Sequence, residues 1–197
     1  MGVFMELEKE YLENLIHYHN HTKYVVVAWK YIREELWDRG MLDENEFAKT
    51  NNLIVWHDNS KINLDEFIPY SYGLYGDDKS NPVVKSKFKE AVKIHKSRNL
   101  HHYESLRNYC GDDWKCYVVE LVCDYIAMGW EFNNYVLEYY QTVRDKIDLP
   151  REYKEYLESI MGILNEPSLH AVEEPITDEF VKSMMFKDTI LEPRVNK

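Results

Sequence analysis

The chain has 197 residues, of which 45% are hydrophobic and 14% aromatic, so it has enough apolar material for one folded domain and is not disordered in composition. Its formal net charge of −11 disfavours generic binding to nucleic-acid backbones or to anionic lipid, because both need clustered Lys and Arg. The opening residues contain no apolar run of the signal-peptide type, and no stretch approaches the roughly 20 apolar residues that cross a bilayer. We therefore expect a soluble cytoplasmic protein without a membrane partner.

Few turn-forming residues interrupt the sequence, since only seven Gly and six Pro are present, and this favours long helices. The first helix is predicted over residues 8–39 and is expected to end at Gly40. One of its faces repeats apolar residues at helical spacing: Val25, Trp29, Ile32 and Leu36. Counting back four residues from this run places His21 on the same buried face. A second, shorter helix is predicted over residues 43–56.

The centre of the chain, residues 59–80, is predicted to contain a short helix and a loop. Four aromatic residues in it could cover a site: Phe67, Tyr70, Tyr72 and Tyr75. A third long helix is predicted to begin at Asn81-Pro82, because Asn is a favoured N-cap and Pro a favoured first helical residue. Its apolar face ends in another histidine, His95.

A histidine pair, His101-His102, is predicted at a helix end and is followed by a loop that runs through Gly111. The next helix starts near residue 112, and the buried line along it contains an aspartate, Asp124, among apolar residues. Two more helices are predicted over residues 134–147 and 150–164.

No strand pair or internal repeat interrupts this succession, so the predicted class is an all-α helical bundle. We expect residues 1–164 to form a single metal-binding domain. Residues 165–197 would form a C-terminal tail with one short amphipathic helix, TDEFVKSMMF.

Polar side chains of the kind that bind metals interrupt the apolar faces of four helices. They are His21, His57, Asp58, His95, His101, His102 and Asp124. Any one of these histidines alone would be an ordinary half-buried residue more often than a ligand. If all seven were buried without a metal, each side chain would need its own polar partner. A site with one or two divalent metal ions would satisfy all of them. The donor set does not distinguish among Mn, Fe, Co, Ni, Zn and Mg, and a bridging carboxylate allows two ions.

Two charged residues near these ligands each have two interpretations. Lys61 follows Asp58 by three residues, so its ammonium could hold a phosphate oxygen or only balance the carboxylate. Glu120 lies one helical turn before Asp124 and is either an acceptor for a ligand histidine or a surface carboxylate.

Three further residues are candidates by proximity alone. Arg98 and Asn99 could contact the substrate or support the metal ligands. His17, four residues before His21, could line the same cavity, although a solvated helix face explains it equally well.

The order of these residues resembles the HD-domain superfamily of metal-dependent phosphohydrolases. That superfamily is a helical bundle with a histidine on one helix, an adjacent His-Asp on the next and an aspartate on a later helix. His21, the His57-Asp58 doublet and Asp124 match this order.

Members of the superfamily with two metal ions have additional histidines between the doublet and the last aspartate, and His95 with His101 or His102 falls there. The succession HDNSK, EF, HKSRNLHH and ELVCDYIAM is also similar to a family of bacterial and phage proteins of unassigned function. The resemblance covers residues 12–130.

The resemblance implies a phosphohydrolase for a nucleotide or another small phosphorylated molecule, in the host cytoplasm if the chain is phage-encoded. One metal ion would be bound by His21, His57, Asp58 and Asp124, and a second by His95 with His101 or His102. The expected catalytic residues are Asp58, as the carboxylate that bridges both ions, and Lys61, as the anchor of a non-bridging phosphate oxygen.

Two other functions are compatible with the same residues. HD-type bundles with a mixed-valent di-iron centre act as oxygenases with a similar ligand set. The third function is that of a non-catalytic binding protein, such as a phage factor that sequesters a nucleotide or occupies a host protein. The sequence predicts no particular oligomeric state.

Overall fold

Helices and the turns between them make up the whole of the chain that the structure, a computed structural model, describes: residues 8–164. In chain order they are α1 (Lys9–Asp38), α2 (Glu44–Val55), a short 3₁₀ helix (Asn59–Ile62), α3 (Leu64–Tyr75), α4 (Pro82–Arg98), α5 (Tyr103–Leu106), α6 (Trp114–Glu131), α7 (Val136–Val143) and α8 (Arg151–Ile163). No strand occurs within residues 8–164, and the predicted all-α class is confirmed.

Helix α6 is the centre of the bundle, because residues on nearly every side of it are buried. A helix that is apolar all round belongs inside a protein. Helices α1, α2, α7 and α8 pack against it, and helix α3 packs against both α1 and α4. The core therefore lies between α6 and its neighbours, while α3 and α4 close one side of the bundle.

Helix α1 buries the apolar face that the sequence predicts, and His21 is buried together with that face. The helix ends where Gly40 takes a left-handed conformation with φ of 67°. Glycine adopts this conformation without a steric penalty and commonly stands just after a helix end. The predicted helix and its stop signal are both confirmed.

Side-chain caps determine where two of the helices begin. At α2, the Glu46 backbone N–H donates to Asp43 Oδ1 at 2.8 Å, and the Asp43 backbone N–H donates to Glu46 Oε2 at 2.8 Å. At α4, the Val83 backbone N–H donates to Asn81 Oδ1 at 2.9 Å, so the predicted N-cap is confirmed. These caps place the starts of both helices. The histidines stand beyond or at the other ends: His57 follows two residues after the end of α2, and His95 lies in the last turn of α4.

The predicted boundaries differ from the structure in three places. Residues 59–80 hold more helix than predicted, because helix α3 runs for 12 residues and continues through Pro69. Packing of α3 against α1 and α4 outweighs the turn-forming tendency of the local sequence. The predicted loop after the histidine pair contains one turn of helix, α5, and helix α7 is shorter than the predicted span of 134–147.

The proposed division into a domain and a tail stays a prediction, because the described residues end at position 164. The predicted amphipathic segment TDEFVKSMMF lies outside them. Among residues 8–164, no helix combines the length and the apolar character that a membrane span requires.

Burial along α1 predicts how two leucines differ in their contribution to stability. Leu36 is 0% exposed and Leu12 is 51% exposed. Leu36→Ala should lower the free energy of unfolding by about 2–5 kcal/mol, because it leaves a cavity in the core. Leu12→Ala makes the same change in the same helix and should cost no more than about 0.5 kcal/mol. Urea denaturation measures both, and equal shifts of the midpoint would contradict the packing of α1.

Candidate metal centre

Seven polar residues from separate parts of the bundle converge on one cluster. They are His21 from α1, His57 and Asp58 from the turn after α2, His95 from the last turn of α4, His101 and His102 from the turn before α5, and Asp124 from α6. All but His102 and Asp124 are buried, and those two are partly buried. The structure thus brings together every residue predicted as a metal ligand. We call these seven residues the histidine cluster.

The turn after α2 brings two adjacent residues into the cluster. Asp58 has φ of 57° and ψ of 17°, a left-handed conformation that Asp and Asn adopt more readily than other non-glycine residues. The Lys61 backbone N–H donates to the Asp58 carbonyl oxygen at 2.8 Å and so begins the 3₁₀ helix. The chain changes direction here, and both His57 and Asp58 are buried.

The Asp58 carboxylate lies between two pairs of imidazoles. Its Oδ2 is 3.8 Å from His21 Nε2 and 3.6 Å from His57 Nε2. Its Oδ1 is 3.1 Å from His95 Nε2 and 3.3 Å from His101 Nε2. Each oxygen therefore faces a different pair of nitrogen donors, which is the arrangement that a bridging carboxylate needs.

The ligand atoms of the cluster form two groups, and within each group all lie within 4.8 Å of one another. One group is His21, His57 and Asp124; the other is Asp58, His95, His101 and His102. Within residues 8–164, several of these buried atoms have no hydrogen-bond partner: Nε2 of His57, His101 and His102, and Oδ1 of Asp58. An unpaired buried polar atom costs about 1–3 kcal/mol. The residues present therefore fit one or two divalent cations, which would satisfy these atoms.

Glu120 supports a histidine of each group from behind. Its Oε1 lies 2.9 Å from His57 Nδ1 and 3.1 Å from His101 Nδ1. The side chain is buried, so the surface interpretation of Glu120 is wrong. A histidine that directs Nδ1–H to a carboxylate presents Nε2 to a metal and is held in one orientation.

Glu66, to which the sequence pattern assigns no role, supports His95 in the same way. Its Oε2 is 3.0 Å from His95 Nδ1 and accepts a hydrogen bond from Ser60 Oγ at 2.9 Å. Arg98 Nη1 donates to Glu66 Oε1 at 2.7 Å, and Asn99 Nδ2 donates to Ser60 Oγ at 2.7 Å. Arg98 and Asn99 therefore contact the residues that support His95 and do not line the cavity described below.

Glu131 is the third carboxylate behind the cluster. Its Oε2 is 3.5 Å from His21 Nδ1, and its Oε1 is 3.0 Å from His17 Nδ1. The rings of His17 and His21 are nearly parallel, with centroids 6.3 Å apart. His17 is therefore a neighbour of His21 and does not line the cavity, contrary to one of the two interpretations from sequence.

A cavity of about 420 Å³ gives access to the histidine cluster. The cluster residues that line it are His21, Asp58, His95, His102 and Asp124. His57 and His101 do not line it. Lys61 does, and its Nζ lies 2.6 Å from Asp58 Oδ2.

The charges around Asp58 compensate one another. Burial by itself would raise the pKa of Asp58, but the charges of Lys61 and His57 hold it well below its usual range. Burial by itself would lower the pKa of Lys61, but the adjacent Asp58 carboxylate raises it above its usual range. Burial by itself would likewise lower the pKa of His101, but the Glu120 and Asp58 carboxylates raise it to about 10. At neutral pH both Asp58 and Lys61 are therefore charged.

Two other histidines show opposite shifts. Burial by itself would lower the pKa of His21, but the Asp124 and Glu131 carboxylates raise it to about 9. For His102, burial and the charges of the neighbouring His101 and His95 together lower the pKa to about 2. His102 is therefore a neutral imidazole, whereas His21 carries a proton in the metal-free protein.

Two of the supporting carboxylates were missed in the sequence. Glu131 lies seven residues after Asp124, two helical turns along the same face, and this spacing could have identified it. Glu66 stands in the EF motif of the family resemblance, but the sequence did not locate the start of helix α3, so no spacing linked Glu66 to the histidines.

No curated protein and no solved structure matches the chain significantly. The sequence does match a family of unknown function, DUF5662, over residues 10–170, which is most of its length. The chain therefore belongs to the DUF5662 family.

Proposed function

We propose that this protein is a metal-dependent phosphohydrolase that acts on a small phosphorylated molecule. The observation that carries the proposal is the Asp58 carboxylate, which faces imidazoles with both oxygens while a charged lysine, Lys61, stands beside it in an open cavity. The resemblance of the ligand order to the HD-domain superfamily supports the same reaction.

The residues of the cluster divide between two ions in this proposal. His21, His57 and Asp124 would hold the first ion; His95, His101 and His102 would hold the second; and Asp58 would contribute to both. Divalent ions bound there would act as Lewis acids, activating water and offsetting the negative charge that develops on a phosphoryl group.

Lys61 and the supporting carboxylates perform the remaining tasks. The Lys61 ammonium lines the cavity beside Asp58, where it can donate to a non-bridging phosphoryl oxygen. Its Nζ lies 5.7 Å from the centre of the Tyr70 ring, a second contact that holds the lysine in place. Glu120 and Glu66 keep the Nε2 atoms of their histidines directed into the cluster.

Two substitutions separate metal binding from substrate binding. Asp58→Asn keeps a residue that tolerates the left-handed backbone but removes the charge, so both metal content and phosphate release should be lost. Lys61→Ala should retain the metal and reduce turnover about 10- to 100-fold, the value of a charge-assisted hydrogen bond. Elemental analysis and phosphate release from a panel of phosphoesters measure the two effects.

The matched control is Asp77→Asn, which removes a carboxylate from an exposed residue beyond α3 and should change neither quantity. Equal loss of metal in the Asp58 and Lys61 variants would contradict the roles given to them. Bound iron with oxygen consumption and no phosphate release would favour the oxygenase, and a metal-free wild-type protein after reconstitution would refute the proposal.

The supporting glutamates predict two different patterns of metal loss. Glu120 contacts a histidine of each group, whereas Glu66 contacts only His95. Glu120→Gln should therefore weaken both metal sites, each by about 10- to 100-fold, and Glu66→Gln should weaken one of them. Calorimetric titration of the metal-free proteins with Mn²⁺ or Zn²⁺ resolves the binding of the first and the second ion. Identical isotherms for the two variants would contradict the assignment of Glu120 to both sites.

Metal binding should also release protons. Without metal the pKa of His21 is raised to about 9 and that of His101 to about 10, so both carry a proton at neutral pH that must leave when Nε2 binds an ion. The apparent metal affinity should therefore rise as the pH increases from 6 to 9. Calorimetry in two buffers of different ionisation enthalpy measures the protons released. An affinity that is constant over this pH range would contradict ligation by these histidines.

A further inference from the structure

We infer that the cavity selects a phosphomonoester with a planar, uncharged body, and disfavours polyphosphates. The inference rests on the proposed function, because it places the phosphate at the histidine cluster. It is carried by the part of the cavity lining that the cluster and Lys61 do not provide. Five aromatic residues belong to that part. Tyr70 stands beside Lys61, and the other four are Tyr103, Tyr125, Phe132 and Tyr139. We call these other four the aromatic wall.

Two rings of the aromatic wall are available to a ligand. Phe132 is 59% exposed and Tyr139 is 42% exposed, and both line the cavity. Tyr125 packs edge-to-face on Tyr139, with ring centroids 5.6 Å apart, and this contact holds the Tyr139 ring in place. A flat ligand can therefore stack on a ring that is already oriented.

The turn after α6 is built to bring this wall to the cavity. The Asn134 backbone N–H donates to the Gly129 carbonyl oxygen at 2.7 Å, and Asn133 takes a left-handed φ of 53°. A Cβ atom on Gly129 would lie only 2.9 Å from the Asn134 carbonyl oxygen. The absence of a side chain at Gly129 therefore lets the turn fold back, so that both Phe132 and Asn134 line the cavity.

The charges of the cavity argue for a single phosphate. Of the described residues that line it, the lysines are Lys61 and Lys96, and both already face carboxylates. Lys61 is 2.6 Å from Asp58, and Lys96 is 2.5 Å from Glu104. With Lys61 assigned to the single phosphate, each further phosphate group would have to compete with Glu104 for Lys96, the one other lysine among the described lining residues. The aromatic wall instead suits an uncharged body, such as a nucleobase or an aryl group.

Equilibrium binding to the metal-loaded protein tests the selection directly. The probes are AMP, phenyl phosphate, ribose 5-phosphate and ATP, measured by calorimetry in the same buffer. AMP and phenyl phosphate should bind roughly tenfold or more tightly than ribose 5-phosphate, because only they can stack on a ring. ATP should bind more weakly than AMP. Comparison of AMP with phenyl phosphate distinguishes a nucleobase site from a site for any aryl group.

Variants of the exposed tyrosine identify the stacking surface. Tyr139→Ala should lower the affinity for AMP roughly tenfold and leave the affinity for ribose 5-phosphate unchanged. Tyr139→Phe keeps the ring and should retain the preference. The matched control is Tyr31→Ala on α1, where the tyrosine is 38% exposed and does not line the cavity.

Phosphate release from the same probes separates this inference from the proposed function. If phosphate is released but ribose 5-phosphate binds as tightly as AMP, or ATP binds more tightly than AMP, the proposed function stands and the inference is overturned. If no probe is hydrolysed but AMP binds with the expected dependence on the Tyr139 ring, the inference stands for binding and the phosphohydrolase proposal fails.

Discussion

A carboxylate in a protein interior must be surrounded by groups that offset its loss of water. Asp58 is such a group, and around it stand the Lys61 ammonium and the imidazoles of the cluster. These imidazoles are buried as well, so they need acceptors of their own. Glu120 and Glu66 provide them, and Glu66 is in turn compensated by a guanidinium near the surface. The helix ends and turns that carry the lysine, the histidines and the glutamates are thus arranged around one buried charge, the Asp58 carboxylate.

The sequence predicts those parts of this arrangement that depend on local periodicity and capping. His21 follows from its register with the apolar face of α1, and His95 follows from its place at the end of a helix with a recognisable start at Asn81. Asp124 falls within the buried stripe of α6. Each of these three positions can be counted along a single helix, so sequence periodicity alone predicts them.

The parts that depend on contacts between distant helices are not predictable in this way. The sequence around Glu120 would be the same whether its side chain faced solvent or two histidines. Only the packing of α6 inside the bundle shows that the side chain is buried. Helix α3 continues through Pro69 because it packs between two other helices, so Glu66 could not be placed in advance. The aromatic wall likewise combines residues of α5, α6, α7 and the turn after α6, which have no common spacing in the sequence.

The left-handed backbone at Asp58 has a consequence for how the family can diversify. Asparagine and glycine are the other residues that adopt this conformation easily, and each is a single base change away from the aspartate codons. Either change would remove the central charge without straining the turn. Chains that keep the bundle while losing the charge at the centre of the cluster are thus one mutational step away from this one.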